Sequence, residues 1–241
     1  MEGIFERTEL LLGQDGLEKL KGTHIAVFGI GGVGSFAAES LVRSGIGEIT
    51  LIDFDDICVS NINRQIHANI KTVGRLKVDA MKERLLLINP DLIVNIVAKV
   101  YSKDNSEEII KEDFDYVVDA IDMISSKIHL IKTCKDKGIP IISSMGTGNK
   151  LDPSRFEITD IYKTSVCPLA KVMRRELKKL AIKKLDVVYS KEVPITQNSQ
   201  LDEDGNIKRK QTPGSIAFVP PVSGMIMASF VIRQILSINT H

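Results

Sequence analysis

The sequence has few cysteines and aromatic residues and almost no net charge. Its 241 residues include no tryptophan, and Phe, Trp and Tyr together make up 5% of the chain. The three cysteines, Cys58, Cys134 and Cys167, lie far apart and form no Cys-x-x-Cys pair, which excludes a disulfide framework and a four-cysteine zinc site. We expect each cysteine to be a small core residue. The net charge of +1 excludes a uniformly basic protein, and the cysteine usage favours a reducing, cytoplasmic location.

Long hydrophobic runs are also missing. Residues 1–12 carry several charges and lack the apolar core of a signal peptide. The most apolar late segment, 224–236, is interrupted by Arg233 and is shorter than the roughly 20 residues that span a bilayer. The sequence therefore predicts a buried helix at 224–236 and no stable membrane insertion.

A glycine-rich turn is the most informative feature that is present. An apolar run from His24 enters a Gly-x-Gly-Gly-x-Gly pattern, which predicts a strand, a tight turn and a helix whose N-terminus accepts phosphate. The glycines of the pattern are Gly29, Gly31, Gly32 and Gly34. Asp53 ends the next apolar run, where a carboxylate can accept hydrogen bonds from ribose hydroxyls. These residues alone favour ATP-using enzymes and dehydrogenases with a bound dinucleotide equally.

Apolar runs alternate with helical patterns over the first 143 residues. Strands are predicted at 25–28, 48–52, 92–98, 116–121 and 139–143, and helices at 33–45, 76–88, 106–111 and 127–137. This alternation predicts an α/β, Rossmann-like, mostly parallel sheet with helices on both faces. Ligands of such sheets bind beyond the carboxyl ends of the strands, where Gly29, Asp53 and Asp122 all fall.

The pattern changes after residue 148. We predict an ATP-binding core with an N-terminal helical arm at 1–148 and a C-terminal portion of the same domain at 149–241. That portion has extra strands at 155–161 and 187–189, a strand followed by a helix at 213–236, and a basic amphipathic helix at 169–184. The basic side of this helix carries Lys171, Arg174, Arg175, Lys178 and Lys179. By itself, such a face is more typical of a solvated helix than of a binding surface.

Cations near the glycine turn favour ATP over a dinucleotide. Asn61 and Arg64 follow a group of acidic residues, and Lys77 begins the next helix. Arginine holds phosphate oxygens in a bidentate manner and lysine adds a compact charge, which suits a triphosphate. Asp122, at the same sheet edge, is interpreted as a Mg²⁺ ligand, because a carboxylate facing phosphates needs a cation between them. The alternative is that Asp122 caps the following helix.

Six spaced motifs together resemble the ThiF/MoeB superfamily, the bacterial relatives of ubiquitin-activating enzymes. They are the glycine turn, Asp53-Phe-Asp55, Ser60-Asn61-x-x-Arg64-Gln65, Gly74-x-x-Lys77, Ile88-Asn89-Pro90 and Asp119-x-x-Asp122. The resemblance implies that a substrate carboxylate attacks the α-phosphate of ATP and forms an acyl-adenylate. It assigns the ribose to Asp53, the phosphates to Arg64 and Lys77 with help from Asn61, and Mg²⁺ to Asp122. It also implies a homodimer, in which Arg7 reaches the ATP site of the partner subunit.

Further segments are similar to the tRNA threonylcarbamoyladenosine dehydratase branch of this superfamily. They are Arg43-Ser-Gly-Ile-Gly47, the run 55–67, and Thr159-Asp-Ile-x-Lys-Thr164 followed by Pro168-Leu-Ala170. The branch implies cyclisation, with net loss of water, of the threonylcarbamoyl group on a tRNA adenosine. The basic helix would then hold the tRNA backbone, and a cysteine desulfurase would be a sulfur-transfer partner.

Two other functions remain open from the sequence. One is an adenylyltransferase that activates the C-terminus of a ubiquitin-like sulfur carrier, although such relatives usually hold zinc with two Cys-x-x-Cys pairs. The other is a dehydrogenase or a non-catalytic nucleotide-binding scaffold, which the cations near the turn disfavour. His67 lies close to Arg64 in the sequence, and we interpret it as a packed histidine rather than a substrate ligand.

Overall fold

The chain folds around one mostly parallel sheet. The computed structural model describes residues 3–196 and 212–238, and within them the sheet has seven strands in the order β3-β2-β1-β4-β5-β7-β6. The strands are β1 His24–Phe28, β2 Glu48–Ile52, β3 Ile93–Val97, β4 Tyr116–Asp119, β5 Ile141–Ser144, β6 Phe156–Asp160 and β7 Asp186–Ser190. The helices are α1 Glu6–Lys21, α2 Gly34–Arg43, α3 Lys77–Ile88, α4 Ser106–Ile109, α5 Ile124–Lys137, α6 Pro168–Lys179 and α7 Val219–Ile235.

The strand pairing confirms the predicted α/β architecture. β1, β2, β3, β4, β5 and β7 pair in parallel, and β6 joins the edge by pairing antiparallel to β7. The inner strands β1 and β4 are buried at every position. Continuous burial is expected for parallel strands that helices cover on both faces.

Helices cover the sheet on both faces and form two large apolar clusters. One cluster joins buried residues of α2, α3 and α7 to the sheet, and the other joins those of α5 and α6. In α3 the predicted stripe is confirmed, since Val78, Met81 and Leu85 are buried. Among the described residues, none of the helices combines the length and apolarity required to cross a bilayer.

The C-terminal part differs from the sequence prediction at two points. Residues 212–218 form no strand, and α7 already begins at Val219 with Pro220 in its first turn. Proline lacks the N–H that a strand needs but suits the first turn of a helix, which explains the error. The helix predicted at 169–184 ends at Lys179, because Ala181 has a left-handed φ of 55° and the chain turns towards β7. Of the loop predicted at 196–214, residues 197–211 lie outside the described residues.

Candidate active site

A cavity of about 700 Å³ opens beyond the carboxyl ends of the parallel strands. On one side it is bordered by the glycine turn after β1, by residues 52–55 after β2 and by 99–101 after β3. On the other side lie residues 120–123 after β4, 146–148 after β5 and 212–215 before α7. This position is the one that the sheet topology predicts for a ligand.

The glycine turn brings its backbone close to both the cavity and the neighbouring strand. Gly29 has a φ of 85°, and a Cβ atom there would lie 2.6 Å from the Ala120 carbonyl oxygen. A Cβ atom at Gly34, the first residue of α2, would lie 1.8 Å from the Gly29 carbonyl oxygen. Both positions therefore require glycine, and the turn leads directly into a helix N-terminus, where free N–H groups favour an anion.

Asp53 is buried and holds two backbone segments in place. Its Oδ2 accepts a hydrogen bond from the Ile30 N–H at 2.6 Å, and its Oδ1 accepts one from the Asp55 N–H at 2.9 Å. Burial raises the pKa of the Asp53 carboxyl, while the charge of Lys77 and the two N–H donors act in the opposite direction. Asp53 thus fixes the glycine turn to the end of β2 and also borders the cavity.

Lys77 is the first residue of α3, and the structure brings its side chain to the cavity. The residue is 6% exposed, and its Nζ lies 2.5 Å from Asp55 Oδ2 and 3.9 Å from Asp53 Oδ1. Two carboxylates therefore hold the buried ammonium group at the edge of the cavity.

Arg64 and Asn61 border the same side of the cavity on the loop after β2. Arg64 Nη1 donates to the Ser60 carbonyl at 2.8 Å and to Asn63 Oδ1 at 2.9 Å. Asn61 Oδ1 accepts from the Cys58 N–H at 3.0 Å and so caps the turn that carries it. Both side chains therefore combine a place at the cavity with a role in the shape of the loop.

Asp122 borders the cavity in the turn between β4 and α5. The N-cap residue of α5 is Met123, and no side chain caps this helix, so Asp122 does not act as its cap. Behind the turn, Lys127 Nζ lies 2.9 Å from Asp119 Oδ2 in a fully buried ion pair and donates to the Ile121 carbonyl at 3.2 Å. This pair ties the turn to α5, since a buried charge needs a partner of opposite sign.

The described residues contain no cluster of three or more His, Cys, Asp or Glu side chains that could bind a metal ion by protein groups alone. Mg²⁺ is usually held by one or two carboxylates together with substrate phosphates. Asp122 is exposed, borders the cavity and does not cap α5, so its carboxylate is compatible with a site of that kind.

Sequence reasoning assigned no role to several residues that border the cavity. Gln65 is buried, and its Oε1 has no hydrogen-bond partner among the described residues. Tyr101 borders the cavity after β3 and pairs with His129 Nδ1 at 3.0 Å, and burial raises the pKa of its phenol to about 12. Because Tyr101 follows a strand end, the rule that identified Asp53 and Asp122 could also have identified it. The segment 212–215 gave no such signal, because it follows no strand.

Arg7 does not reach the cavity of its own chain. It is exposed on α1 and borders a small separate groove together with Leu11, Ser44 and Ile232. The predicted role of Arg7 in a partner subunit is therefore compatible with its position, and stays a prediction.

The basic face of α6 is less uniform than its sequence indicates. Arg174 is half-buried and donates to the Thr164 carbonyl at 3.0 Å. Arg175 and Lys179 each lie 2.8 Å from a carboxylate oxygen of Glu176. Lys171 and Lys178 are exposed and have no ion-pair partner among residues 3–196 and 212–238.

The burial of the three cysteines and of His67 can also be compared with the sequence predictions. Cys134 and Cys167 are buried, as expected, but Cys58 is exposed, so the core prediction is wrong for Cys58. Cys58 starts the short turn that Asn61 caps, which places it on the surface loop. His67 is buried, and burial, followed by the charges of Lys77 and Arg84, lowers its pKa to about 4.

Comparisons with known proteins agree with this geometry. The sequence profile of the ThiF family matches residues 5–241. The tRNA threonylcarbamoyladenosine dehydratase of Bacillus subtilis (strain 168) is 48% identical over 239 residues, which cover 96% of this chain and 94% of that protein. The crystal structures of Escherichia coli TcdA, a tRNA N6-threonylcarbamoyladenosine dehydratase, in complex with AMP and with ATP each have a TM-score of 0.87 and 36% identity. They cover 97% of this chain, and 94% and 93% of their own chains. The molybdopterin-synthase adenylyltransferase of E. coli (strain K12) is 33% identical over 54% of this chain and 51% of its own length.

Proposed function

The chain belongs to the ThiF family, and from that membership and its active site we propose that it is an ATP-dependent tRNA threonylcarbamoyladenosine dehydratase. The observation that carries the proposal is that the glycine turn, Asp53, Arg64 and Lys77 all border one cavity. This chain also aligns over nearly its whole length with a dehydratase, and the similar E. coli enzyme has been crystallised with ATP and with AMP.

We assign the nucleotide to the side of the cavity formed by β1, β2 and β3. The Asp53 carboxylate would accept hydrogen bonds from the ribose, and the N–H groups after Gly29 would face the phosphates. Arg64 and Lys77 would bind phosphate oxygens, with Asn61 as a neutral partner. Positive groups that are already in place at these oxygens stabilise the charge that develops during phosphoryl transfer.

The reaction needs no protein nucleophile, because the substrate supplies the carboxylate. An oxygen of the threonylcarbamoyl carboxylate attacks the α-phosphorus, and the bond to pyrophosphate breaks. A nitrogen of the same modification then attacks the activated acyl carbon, and AMP leaves with the carboxylate oxygen. The ring therefore forms with net loss of water, and the lost oxygen leaves in AMP. Arg64 and Lys77 would stabilise both leaving groups, pyrophosphate in the first step and AMP in the second.

Asp122 would hold Mg²⁺ against the phosphates. The cation would neutralise part of the triphosphate charge when bound. The buried Lys127–Asp119 pair supports the turn that presents Asp122.

The tRNA would lie across α6. Exposed lysines and arginines on one helix face suit a phosphate backbone, and we assign this contact first to Lys171 and Lys178, whose charges are not paired among the described residues. Arg174, Arg175 and Lys179 would contribute after leaving Thr164 and Glu176.

We further propose a cytoplasmic homodimer in which Arg7 of each chain completes the ATP site of its partner. The exposed position of Arg7 on α1 supports this arrangement, because the side chain is free of its own cavity. A cysteine desulfurase as a sulfur-transfer partner, and the division of the chain at residue 148, stay predictions.

Activation of a sulfur-carrier protein is the weaker alternative. The similarity to a molybdopterin-synthase adenylyltransferase covers only 54% of this chain, whereas the dehydratase similarity covers 96%. The sequence also lacks the Cys-x-x-Cys pairs that bind zinc in such relatives. The cations at the cavity likewise weigh against a dehydrogenase.

The proposal is tested by supplying the purified protein with ATP, Mg²⁺ and tRNA that carries threonylcarbamoyladenosine. We expect AMP and pyrophosphate to form, and mass spectrometry of the tRNA nucleosides to show the loss of one water from the modified adenosine. Unmodified tRNA is the control and should give neither product. Formation of AMP with a carrier protein instead, or no reaction of the modified nucleoside, would refute the proposal.

A further inference from the structure

The segment 212–215 is attached to the loop after β5, and together they form one wall of the cavity. Asn149 Oδ1 accepts from the Gly214 N–H at 2.6 Å, and the Asn149 N–H donates to the Gly214 carbonyl at 2.8 Å. Asn149 has a φ of 59°, a left-handed conformation that asparagine tolerates better than most residues. We call residues 146–148 and 212–215 the acceptor wall; both segments border the cavity, and Asn149 joins the second to the loop after β5.

Asn63 connects the acceptor wall to the loop that carries Arg64. Its Nδ2 donates to the Ser215 carbonyl at 3.0 Å, and its Oδ1 accepts from Arg64 Nη1 at 2.9 Å. Asn63 itself is exposed and does not border the cavity, so it is not expected to touch the nucleotide. Its amide thus lies between a backbone group of the acceptor wall and the guanidinium of Arg64.

Hydrogen bonds to Asn63 and Ser60 set the orientation of the Arg64 guanidinium. Nη1 is tied to Asn63 and Ser60, while Nε and Nη2 have no hydrogen-bond partner within residues 3–196 and 212–238. The stem of Arg64 packs over Gly32, where an added Cβ would lie 3.3 Å from Arg64 Cγ. The same Cβ would lie 3.0 Å from Cβ of Pro220, in the first turn of α7. Arg64 is therefore held along one edge, and its other edge is available for phosphate oxygens.

We propose that Asn63 is a positioning residue that couples tRNA binding to ATP binding through Arg64. The inference rests on the proposed function, since it takes the acceptor wall as the place of the modified adenosine. A tRNA substrate that packs against the wall restrains Ser215, Ser215 restrains the Asn63 amide, and Asn63 restrains the Arg64 guanidinium in its phosphate-binding orientation. Each substrate then strengthens the binding of the other by the same factor, as thermodynamic linkage requires.

The coupling is measured as a ratio of two dissociation constants. We use α,β-methylene ATP, whose α–β bond resists cleavage, and determine its affinity with and without tRNA that carries threonylcarbamoyladenosine. For the unaltered protein we expect tRNA to tighten nucleotide binding by about fivefold or more, the usual size of a coupling between two sites. For Asn63→Leu, which removes donor and acceptor at an exposed position, we expect a ratio close to one.

Two further variants separate positioning from a general defect. Asn63→Gln keeps both functional groups on a longer side chain and should recover part of the ratio. Asn95→Leu removes an exposed asparagine of β3, whose Nδ2 donates to Glu48 Oε1 at 2.8 Å far from the acceptor wall, and should leave the ratio at its original value. Thermal unfolding of each variant checks that the fold is unchanged.

The inference and the proposed function fail in different ways. If Asn63→Leu keeps the original ratio, or if the unaltered protein shows no coupling while it still forms AMP and pyrophosphate, the role of Asn63 is refuted and the dehydratase function stands. If the unaltered protein forms neither product with modified tRNA, the proposed function itself is refuted.

Discussion

At the scale of single residues, Arg64 and Lys77 differ in their burial and in the groups that hold them. Arg64 is half-buried and bound to groups of its own loop, whereas Lys77 is buried between Asp53 and Asp55. Removing Lys77 therefore leaves the buried Asp53 carboxylate without its cation, and removing Arg64 does not. Both substitutions should therefore weaken phosphate binding, but only the loss of Lys77 should also destabilise the fold.

We predict that Arg64→Ala and Lys77→Ala each lower kcat/KM by roughly a hundredfold, about 3 kcal/mol of transition-state stabilisation. Only Lys77→Ala should also lower the free energy of unfolding, by about 3 kcal/mol, because a buried ion pair is broken. Urea denaturation and pyrophosphate release measure the two effects, and Lys82→Ala on the same helix is the control. Equal losses of stability for both variants would contradict the structure.

His67 predicts a pH dependence of stability. Its pKa is about 4 in the folded protein against 6.5 when exposed, so the unfolded chain binds more protons between these values. Stability should therefore fall as the pH drops through 6.5 towards 4, and His67 accounts for about 2 kcal/mol between pH 7.5 and pH 5. His67→Leu should remove this part of the decrease in urea midpoints. An identical pH profile for both proteins would show that His67 is not the group responsible.

At the scale of helices and strands, periodicity and glycine spacing predicted most of the architecture. Strand positions from β1 to β5 agree within two or three residues, because buried parallel strands have continuous apolar runs. The strand predicted within 213–221 was wrong, since an apolar run next to Pro220 and Pro221 also fits a helix start. Arg64, Lys77 and Asp122 could be placed at the cavity from strand ends and spacing. The contacts of Asn63 with Ser215 could not, because they join residues far apart in the sequence.

The structure also changes which residues of α6 should be tested for tRNA binding. Lys171→Ala combined with Lys178→Ala should weaken binding and make it less dependent on salt, with a slope in a log–log plot smaller by about 0.7 to 0.9 for each lysine that contacts phosphate. ATP affinity without tRNA should stay unchanged, because neither lysine borders the cavity. Filter binding at several salt concentrations gives the slope, and Lys132→Ala on α5 is the control. An unchanged slope would assign α6 to the solvated surface.

At the scale of the whole molecule, the proposed dimer makes a prediction about mixed subunits. Arg7→Ala and Arg64→Ala proteins should each be nearly inactive alone. If Arg7 acts on the partner's site, a heterodimer has one complete site, formed by the Arg7→Ala chain and the intact Arg7 of its partner. Random exchange of equal amounts should then restore about a quarter of the original activity. No recovery after verified exchange would show that Arg7 acts within its own chain, and full activity of the Arg7→Ala protein alone would show that Arg7 has no role.

The central claim is that the cavity activates a substrate carboxylate as its AMP ester. The most direct test is a single turnover with ATP and a tRNA whose threonylcarbamoyl carboxylate is labelled with ¹⁸O. Attack on the α-phosphorus followed by ring closure predicts one ¹⁸O atom in the released AMP and none in pyrophosphate. Release of ADP with the label in inorganic phosphate, or AMP without label, would contradict the account.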